Sequence, residues 1–549
     1  MAKNTTHKNR RWPEGAVVYQ IYPRSFYDSN DDGIGDIPGI TAKLDYLQDL
    51  GVNALWLSPF YPSPMADFGY DVADYCDVDP IFGDLGDMKK LLKAAHQRDI
   101  RLIVDLVPNH SSDEHEWFRQ SRQSKEGAYA DWYIWHDPKG YDNNGKPIPP
   151  NNWIEVLGGN PAWEWEPARQ QYYLHSFNVH QPDLNWANPK VREAIKDAMR
   201  FWLDMGVDGF RVDAVHFIAK DPLLRDEPVN PHYKPGVSGR YDALKHSYNH
   251  GWPTMFAYLS EMASVLKEPK YADTHRFMIT EAYPDTHEPI EEYLAFYEGM
   301  DPEVAAPFNF EGIGLPWQAG VWHRFLKSFH KTLAQFSPLC VPSYAFGNHD
   351  QPRLASRIGD DAARSAAVML LTLPGMAFIY NGDEIGMTNG HIPNAYVQDP
   401  GAQGGFGRDP ERTPLQWNGE KHAGFSKAET TWLPVANSYK TRNIEAELKD
   451  PASFLSLYRT LIALRNASEV LRYGDIEVIN TGNKDVLGYR RHSDEQSFTV
   501  LINFSSRAQK THVITHEEKL LVSSAGAKQL ELTTDHSVML APHEAVIYQ

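Results

Sequence analysis

Cysteine is nearly missing from this chain: Cys76 and Cys340 are the two among 549 residues. That excludes a disulfide-built scaffold and a cysteine-rich zinc module. Basic residues are in deficit, 53 Lys and Arg against 72 Asp and Glu, for a formal net charge of −19. Such acidity argues against nucleic acid or an anionic membrane as a partner. No apolar run is long enough to span a bilayer. The longest, 366–380, is broken by Thr372, Pro374 and Gly375. The first twelve residues are polar and basic with no apolar stretch behind them, so we expect no signal peptide and a cytoplasmic location. Low-complexity segments and repeats of solenoid spacing are absent too. What the chain has in some excess is aromatic residues, 12% of the total. Flat apolar rings with polar edges are faces on which sugars pack, which is a hint and no more.

Hydrophobic residues make up 42% and charged residues 23%, enough for a sizeable core, and the length suggests three or four structural units of about 150 residues each. Short β-branched or aromatic runs recur, each followed by a segment of helical period. They are 17–22, 54–59, 101–107, 209–214, 277–282, 307–310, 342–350 and 376–382. Helical spacing is clearest over 85–97, 191–205 and 258–267. Continuous apolar strands alternating with helices describe a parallel sheet covered by helices. Eight such strands fit a closed (β/α)₈ barrel, whose active site forms at the C-terminal strand ends. A doubly wound open sheet is the alternative, although no GxGxxG follows the first strand. About 100 residues separate the third strand from the fourth, where an ordinary unit needs roughly 30 to 40. We therefore expect a barrel over 1–108 and 182–469, an inserted domain over 109–181, and an antiparallel β domain over 470–549, where the pattern turns to short alternation.

Charged residues stand where a buried strand should simply pack. Arg211 and Asp213, two apart in GFRVDA, point to the same side of the fourth strand. The third strand carries Asp105, the fifth ends at Glu281, and the seventh at His349 and Asp350. Arg211 with one carboxylate would suit a polar plug of ion pairs equally well. Three carboxylates at three strand ends suggest chemistry instead, because crowding drives one carboxyl to stay protonated beside an ionised one. Glycosidic cleavage needs that pair.

DLVPNH (105–110), GFRVDAVHF (209–217), ITEA (279–282) and FGNHDQPR (346–353) resemble, in order, the four motifs of the α-amylase superfamily, glycoside hydrolase family 13. QPDLNW (181–186), 17–36 and GRDPERTPLQW (407–417) are similar to marks of its α-glucosidase and oligo-1,6-glucosidase branch. The resemblance implies Asp213 as nucleophile, Glu281 as general acid/base and Asp350 as the carboxylate stabilising the transition state. It implies that Arg211 keeps Asp213 ionised and that His110 and His349 bind hydroxyls of the sugar being cleaved. Tyr70 would stack on that ring, Asp67 and Arg408 would clamp its far hydroxyls, Phe177 would form a wall, and Arg412 would face the aglycone side. Such a clamp implies exo-action on short oligosaccharides or disaccharides. Within the branch, Ala at position 214, next to the nucleophile, accompanies α-1,4 preference, so maltose is the expected substrate, with sucrose a further candidate.

The segment DSNDDGIGD carries Asp28, Asn30, Asp32 and Asp36 at alternate positions, with Gly33 at the sharp turn and the Ile34 carbonyl as a further oxygen. This is the spacing of an EF-hand-like loop without its twelfth-position Glu; an Asx- and Gly-rich turn would read the same. With the family resemblance, a structural Ca²⁺, or Mg²⁺, becomes the expectation. No organic cofactor is expected. Oligo-1,6-glucosidase, transglucosylase and sucrose isomerase activities would share these residues. An endo-amylase would need an open cleft, and a non-catalytic transporter heavy chain would lack the carboxylates. The oligomeric state is not written in the sequence.

Overall fold

The computed structural model describes residues 11–236, 239–283, 289–404, 407–512, 519–526 and 537–549. Eight parallel strands form the central sheet: β1 (Val17–Ile21), β2 (Ala54–Leu57), β3 (Arg101–Leu106), β4 (Gly209–Val212), β5 (Phe277–Thr280), β6 (Ala305–Pro307), β7 (Ser343–Ala345) and β8 (Met376–Tyr380). Their order, β6-β5-β4-β3-β2-β1-β8-β7, is that of a (β/α)₈ barrel cut at one seam. At that seam Asn309 bridges the gap. Its carbonyl accepts from the Ala345 amide at 3.3 Å, and its own amide donates to Ser343 Oγ at 3.1 Å.

The sixth strand departs from the apolar run expected at 307–310. It is built from Ala305 and Ala306, which pair with Met278 and Ile279, and its last register pair is Pro307 with Thr280, whose carbonyl accepts from the Phe308 amide at 2.8 Å. Two alanines carry no strand signature. β1 is buried along its whole length, as a strand walled by two neighbours and covered by helices must be.

The helix-like segments appear as Leu85–His96, Pro189–Met205 and Thr254–Leu266. Pro189–Met205 shows why its ends fall where they do. Asn188 caps the first turn by accepting from the Lys190 amide, Pro189 needs no donor there, and Gly206 at φ 115° turns the chain out. Between β3 and β4 the chain makes a three-stranded antiparallel sheet of Trp135–His136, Gln171–Leu174 and Trp163–Glu166. After the helix Phe454–Ala467, a five-stranded antiparallel sheet runs from Asp475 to Tyr548. Arg491 fastens it to the barrel, donating to the Thr372 carbonyl at 2.5 Å.

One excursion had no sequence signal. Residues 213–236 and 239–253 follow β4 with only short 3₁₀ turns, and they lie beside the inserted domain. Trp153 donates to the Arg225 carbonyl at 2.9 Å and Asn152 to that of Glu227 at 2.9 Å. The Glu227 carboxylate gathers the amides of Ser247, Tyr248 and Asn249 at 2.5–2.8 Å, folding the excursion back on itself.

Candidate active site

The C-terminal strand ends surround a cavity of about 260 Å³, a size for a small ligand rather than a polymer. Asp67, Tyr70, His110, Phe177, Asp213, Ala214, Glu281, Asp350 and Arg408 all line it. They come from segments up to 341 residues apart. The barrel is what converts that separation into a shared mouth.

Arg211 is fully buried under the cavity floor. Its Nη1 bonds Asp105 at 2.9 Å and also Asp213, while Nη2 pairs with Glu281 at 2.6 Å. Glu281 additionally accepts from the Ala214 amide at 2.8 Å. That amide is presented by an unusual backbone: Ala214 sits at φ 48°, in the left-handed region where a residue with a Cβ is strained. One guanidinium thus serves three buried carboxylates. Burial, reinforced by Glu281 and Asp105 and opposed by Arg211, pushes Asp213 upward. Burial likewise raises Asp105 to about 7 against the pull of Arg211. Burial and mutual crowding thus work against the single cation at Asp105 and Asp213.

Asp350 is in the opposite situation. Burial alone would raise it, but His349, Arg412 and Arg408 around it hold its carboxyl well below the usual carboxylate range. Arg412 Nη2 bonds Asp350 Oδ1 at 2.7 Å, and Arg408 Nη1 reaches the same oxygen at 3.2 Å. The site therefore contains one carboxylate held low by surrounding cations and two, Asp105 and Asp213, pushed upward by burial. Arg412 must be corrected from the expected aglycone contact. Fully buried, it donates to the His349 carbonyl at 2.8 Å and supports Asp350 from behind.

Both pocket histidines are neutral. Burial lowers His349 to about 3 and His110 to about 4. The Gln20 amide donates to His349 Nδ1 at 2.7 Å, which assigns the ring proton to Nε2. That nitrogen faces the Tyr70 hydroxyl at 2.6 Å and Asp350 at 3.3 Å. Tyr70 donates onward to Asp105 at 3.3 Å. Phe177 packs beside His110, ring centroids 5.2 Å apart. Arg408 Nη2 grips Asp67 at 2.6 Å and closes one end of the cavity.

Sequence reading missed the residues that hold this clamp. Asp399 orients Arg408 through Nε at 2.8 Å and Nη2 at 2.9 Å. Gln181 lies 3.1 Å from both Asp67 and His110. Lys220 is buried between Asp183, at 2.6 Å, and Asn109, at 3.0 Å, tying the β4 excursion to the end of β3. QPDLNW had pointed near Gln181 and Asp183. Nothing marked Asp399 or Lys220, whose neighbours carry no motif.

The loop at Asp28–Asp36 folds as a ladder of Asx turns. Asp28 accepts from the amides of Asn30, Asp31 and Gly33 at 2.7–3.1 Å, Asn30 from Asp32 at 3.0 Å, and Asp32 from Ile34 at 2.8 Å. Gly33, at φ 94°, lies so near the Thr430 carbonyl that an added Cβ would fall 2.4 Å from it. Asp36 instead caps the next helix, accepting from Gly39 at 2.6 Å and from Ser29. Among the described residues, no three His, Cys, Asp or Glu side chains gather as a metal-holding group. Asp28, Asn30, Asp32 and the Ile34 carbonyl nevertheless supply hard oxygen donors of the type Ca²⁺ takes.

A parallel barrel with crowded acidic residues and a clamped, sugar-sized pocket at its mouth defines a glycoside hydrolase. The chain belongs to the α-amylase family, whose catalytic domain matches residues 20–474. It is 41% identical over 510 residues to an α-glucosidase of Apis mellifera, covering 90% of this chain and 86% of that one. An oligo-1,6-glucosidase of Parageobacillus thermoglucosidasius is 39% identical over 583 residues, covering 98% and 99%. Among solved structures, an α-glucosyl transfer enzyme superposes with a TM-score of 0.88 at 36% identity, covering 98% of this chain and 99% of that one. The trehalulose synthase of Pseudomonas mesoacidophila gives 0.83 at 32% identity, covering 98% and 99%. The non-catalytic alternative is thereby set aside. Among the described residues, no helix is long and apolar enough to cross a membrane.

Proposed function

We propose that the protein is a retaining, exo-acting α-glucosidase that releases glucose from the non-reducing end of short α-glucosides, with maltose-type α-1,4 linkages preferred. The Asp67–Arg408 clamp carries this reading, because it closes the cavity beyond a single terminal sugar. Asp213 attacks the anomeric carbon as the glycosidic C–O bond breaks, and Glu281, leaving its contacts with Arg211 and Ala214, gives its proton to the departing oxygen. Glu281 then takes a proton from water, which attacks the same carbon and expels Asp213. Two inversions give net retention. Both carboxyls sit on one guanidinium fork, which supports the roughly 5 Å separation of retaining enzymes over the wider spacing of inverting ones. Asp350, held anionic, faces the positive charge that develops on the ring, and the neutral His110 and His349 exchange hydrogen bonds with its hydroxyls.

Product analysis on maltose, isomaltose, sucrose and trehalose, with NMR detection of the first anomer, tests the whole reading. Release of α-glucose is expected, and initial release of the β-anomer would sink it. The likeness to an α-glucosyl transfer enzyme supports some interception of the intermediate by sugar, read as trisaccharide at high maltose concentration. kcat/KM is expected to be higher for maltose than for isomaltose. Ala214→Val should narrow or reverse that ratio by roughly tenfold, the scale of small apolar changes in a pocket. Because a β-branched residue at φ 48° is strained, the variant's Tm is read beside its kinetics. An isomaltose preference in the parent would remove the α-1,4 reading while leaving the glucosidase.

The loop Asp28–Asp36 is proposed to hold a structural Ca²⁺ or Mg²⁺ through Asp28, Asn30, Asp32 and the Ile34 carbonyl, with Asp36 bracing the loop from the next helix. A bound cation would brace the first βα loop and take no part in the reaction. Chelation should lower Tm more than it lowers turnover at room temperature. An unchanged Tm, with Asp32→Ala melting like the parent, would make this an ordinary turn. The two free thiols, Cys76 and Cys340, support a cytoplasmic location.

A further inference from the structure

Beside the catalytic pocket lies a larger trough of about 830 Å³ on the inserted sheet. The wall between them is one layer of residues thick. Val156, Phe177 and Tyr241 face the pocket, while their neighbours Gly158, Asn178 and Arg240 face the trough, and Leu157 lines both. This partition is held rigidly. The Glu155 carboxylate accepts from the Gly158 amide at 2.8 Å and from the Asn160 amide and side chain at 3.0 and 2.9 Å. Gly159 abuts the β4 excursion so closely that an added Cβ would lie 2.2 Å from Arg240 Cβ.

The floor of the trough is aromatic. Trp165 is half-buried and meets Tyr172 edge-on at 5.0 Å, and Tyr172 is anchored by its hydroxyl to the Pro147 carbonyl at 2.7 Å. Around this floor stand a carboxylate, an amide and a guanidinium, from Glu164, Asn178 and Arg240. Charges of both signs and planar polar groups lining the same trough as aromatic rings suit a neutral polyhydroxylated ligand, which gains stacking on one face and hydrogen bonds at its edge. A single anion or cation would find an opposing charge as well as a partner.

We propose that this trough receives the reducing-end glucosyl units of an α-linked oligosaccharide whose terminal residue occupies the catalytic pocket, the chain passing over Leu157. The proposal rests on the α-glucosidase reading and extends it to longer substrates. It is tested with Trp165→Ala and Trp165→Phe on maltose and maltotetraose. Trp165→Ala should leave kcat/KM for maltose within about twofold of the parent and lower that for maltotetraose roughly tenfold, the scale of one aromatic contact. Trp165→Phe should restore most of the loss. Calorimetry in an Asp213→Asn background should show the same selective weakening for maltotetraose binding. An equal loss on both sugars, or no change on either, overturns the proposal. If the parent cleaves neither sugar, the glucosidase reading fails while the calorimetric comparison still decides the trough.

Discussion

Asp213→Asn should lose turnover of maltose by about 10⁴-fold or more, the scale seen when a covalent nucleophile is removed. An amide nitrogen or oxygen in that place cannot form the glycosyl ester. The same substitution should not weaken the fold. Asp213 is one of three carboxylates on Arg211, and burial with its two acidic neighbours raises it. A carboxyl raised in the folded state favours the protonated native protein, so its contribution to stability is present at low pH. That contribution is lost as pH climbs from the ordinary carboxylate value near 4 through the raised one. Removing the charge should therefore leave Tm equal to the parent's at pH 5 and at or above it at pH 8. Near-normal hydrolysis by a preparation free of deamidation would falsify the nucleophile assignment. A Tm that fell at pH 8 would instead show that the Arg211–Asp213 contact outweighs the crowding.

Glu281→Gln should separate two classes of substrate. With maltose the leaving alkoxide needs a proton, and the loss should be roughly 10²–10⁴-fold, the range for a general acid. With a dinitrophenyl α-glucoside the phenolate leaves unaided, so the first step should survive. The second step lacks its base, and phenolate should appear as a burst followed by slow turnover. Azide, which needs no deprotonation, should speed that slow phase. Equal losses on both substrates, with no burst, would make Glu281 a structural carboxylate that anchors Arg211 and the Ala214 amide.

The chemistry of this chain was legible wherever a strand period carried it. Arg211 and Asp213 share a face because side chains alternate along β4, and a parallel barrel then brings the ends of β3, β4, β5 and β7 to one mouth. Glu281 and Asp350 needed nothing further to be placed there. The pairing of charges was a different matter. That Arg412 lies behind Asp350, and that Asp399 steers Arg408, depends on how the irregular segment after β8 folds across the barrel mouth. Side chains there are ordered by contacts nine positions away within the segment, as with Asp399, and 58 to 341 positions away outside it. No spacing of 2 or 3.6 records such contacts.

The sixth strand makes the same point within the barrel itself. An apolar run advertised 307–310, yet the ladder took the two alanines before it, because the neighbouring strand supplied partners in Met278 and Ile279. The β4 excursion and the partition at 155–160 went unread for a related reason. Both are held by carboxylates that collect backbone amides, Glu227 and Glu155, and a single Glu in a loop looks like any solvated charge until the chain has folded around it. Periodicity and motif order were enough for the barrel and its reacting residues, since those follow from local backbone geometry repeated along each strand. The clamp, the Arg412 support and the trough beside the pocket belong to the tertiary structure, because their energies come from packing and ion pairing between segments whose meeting no local pattern requires.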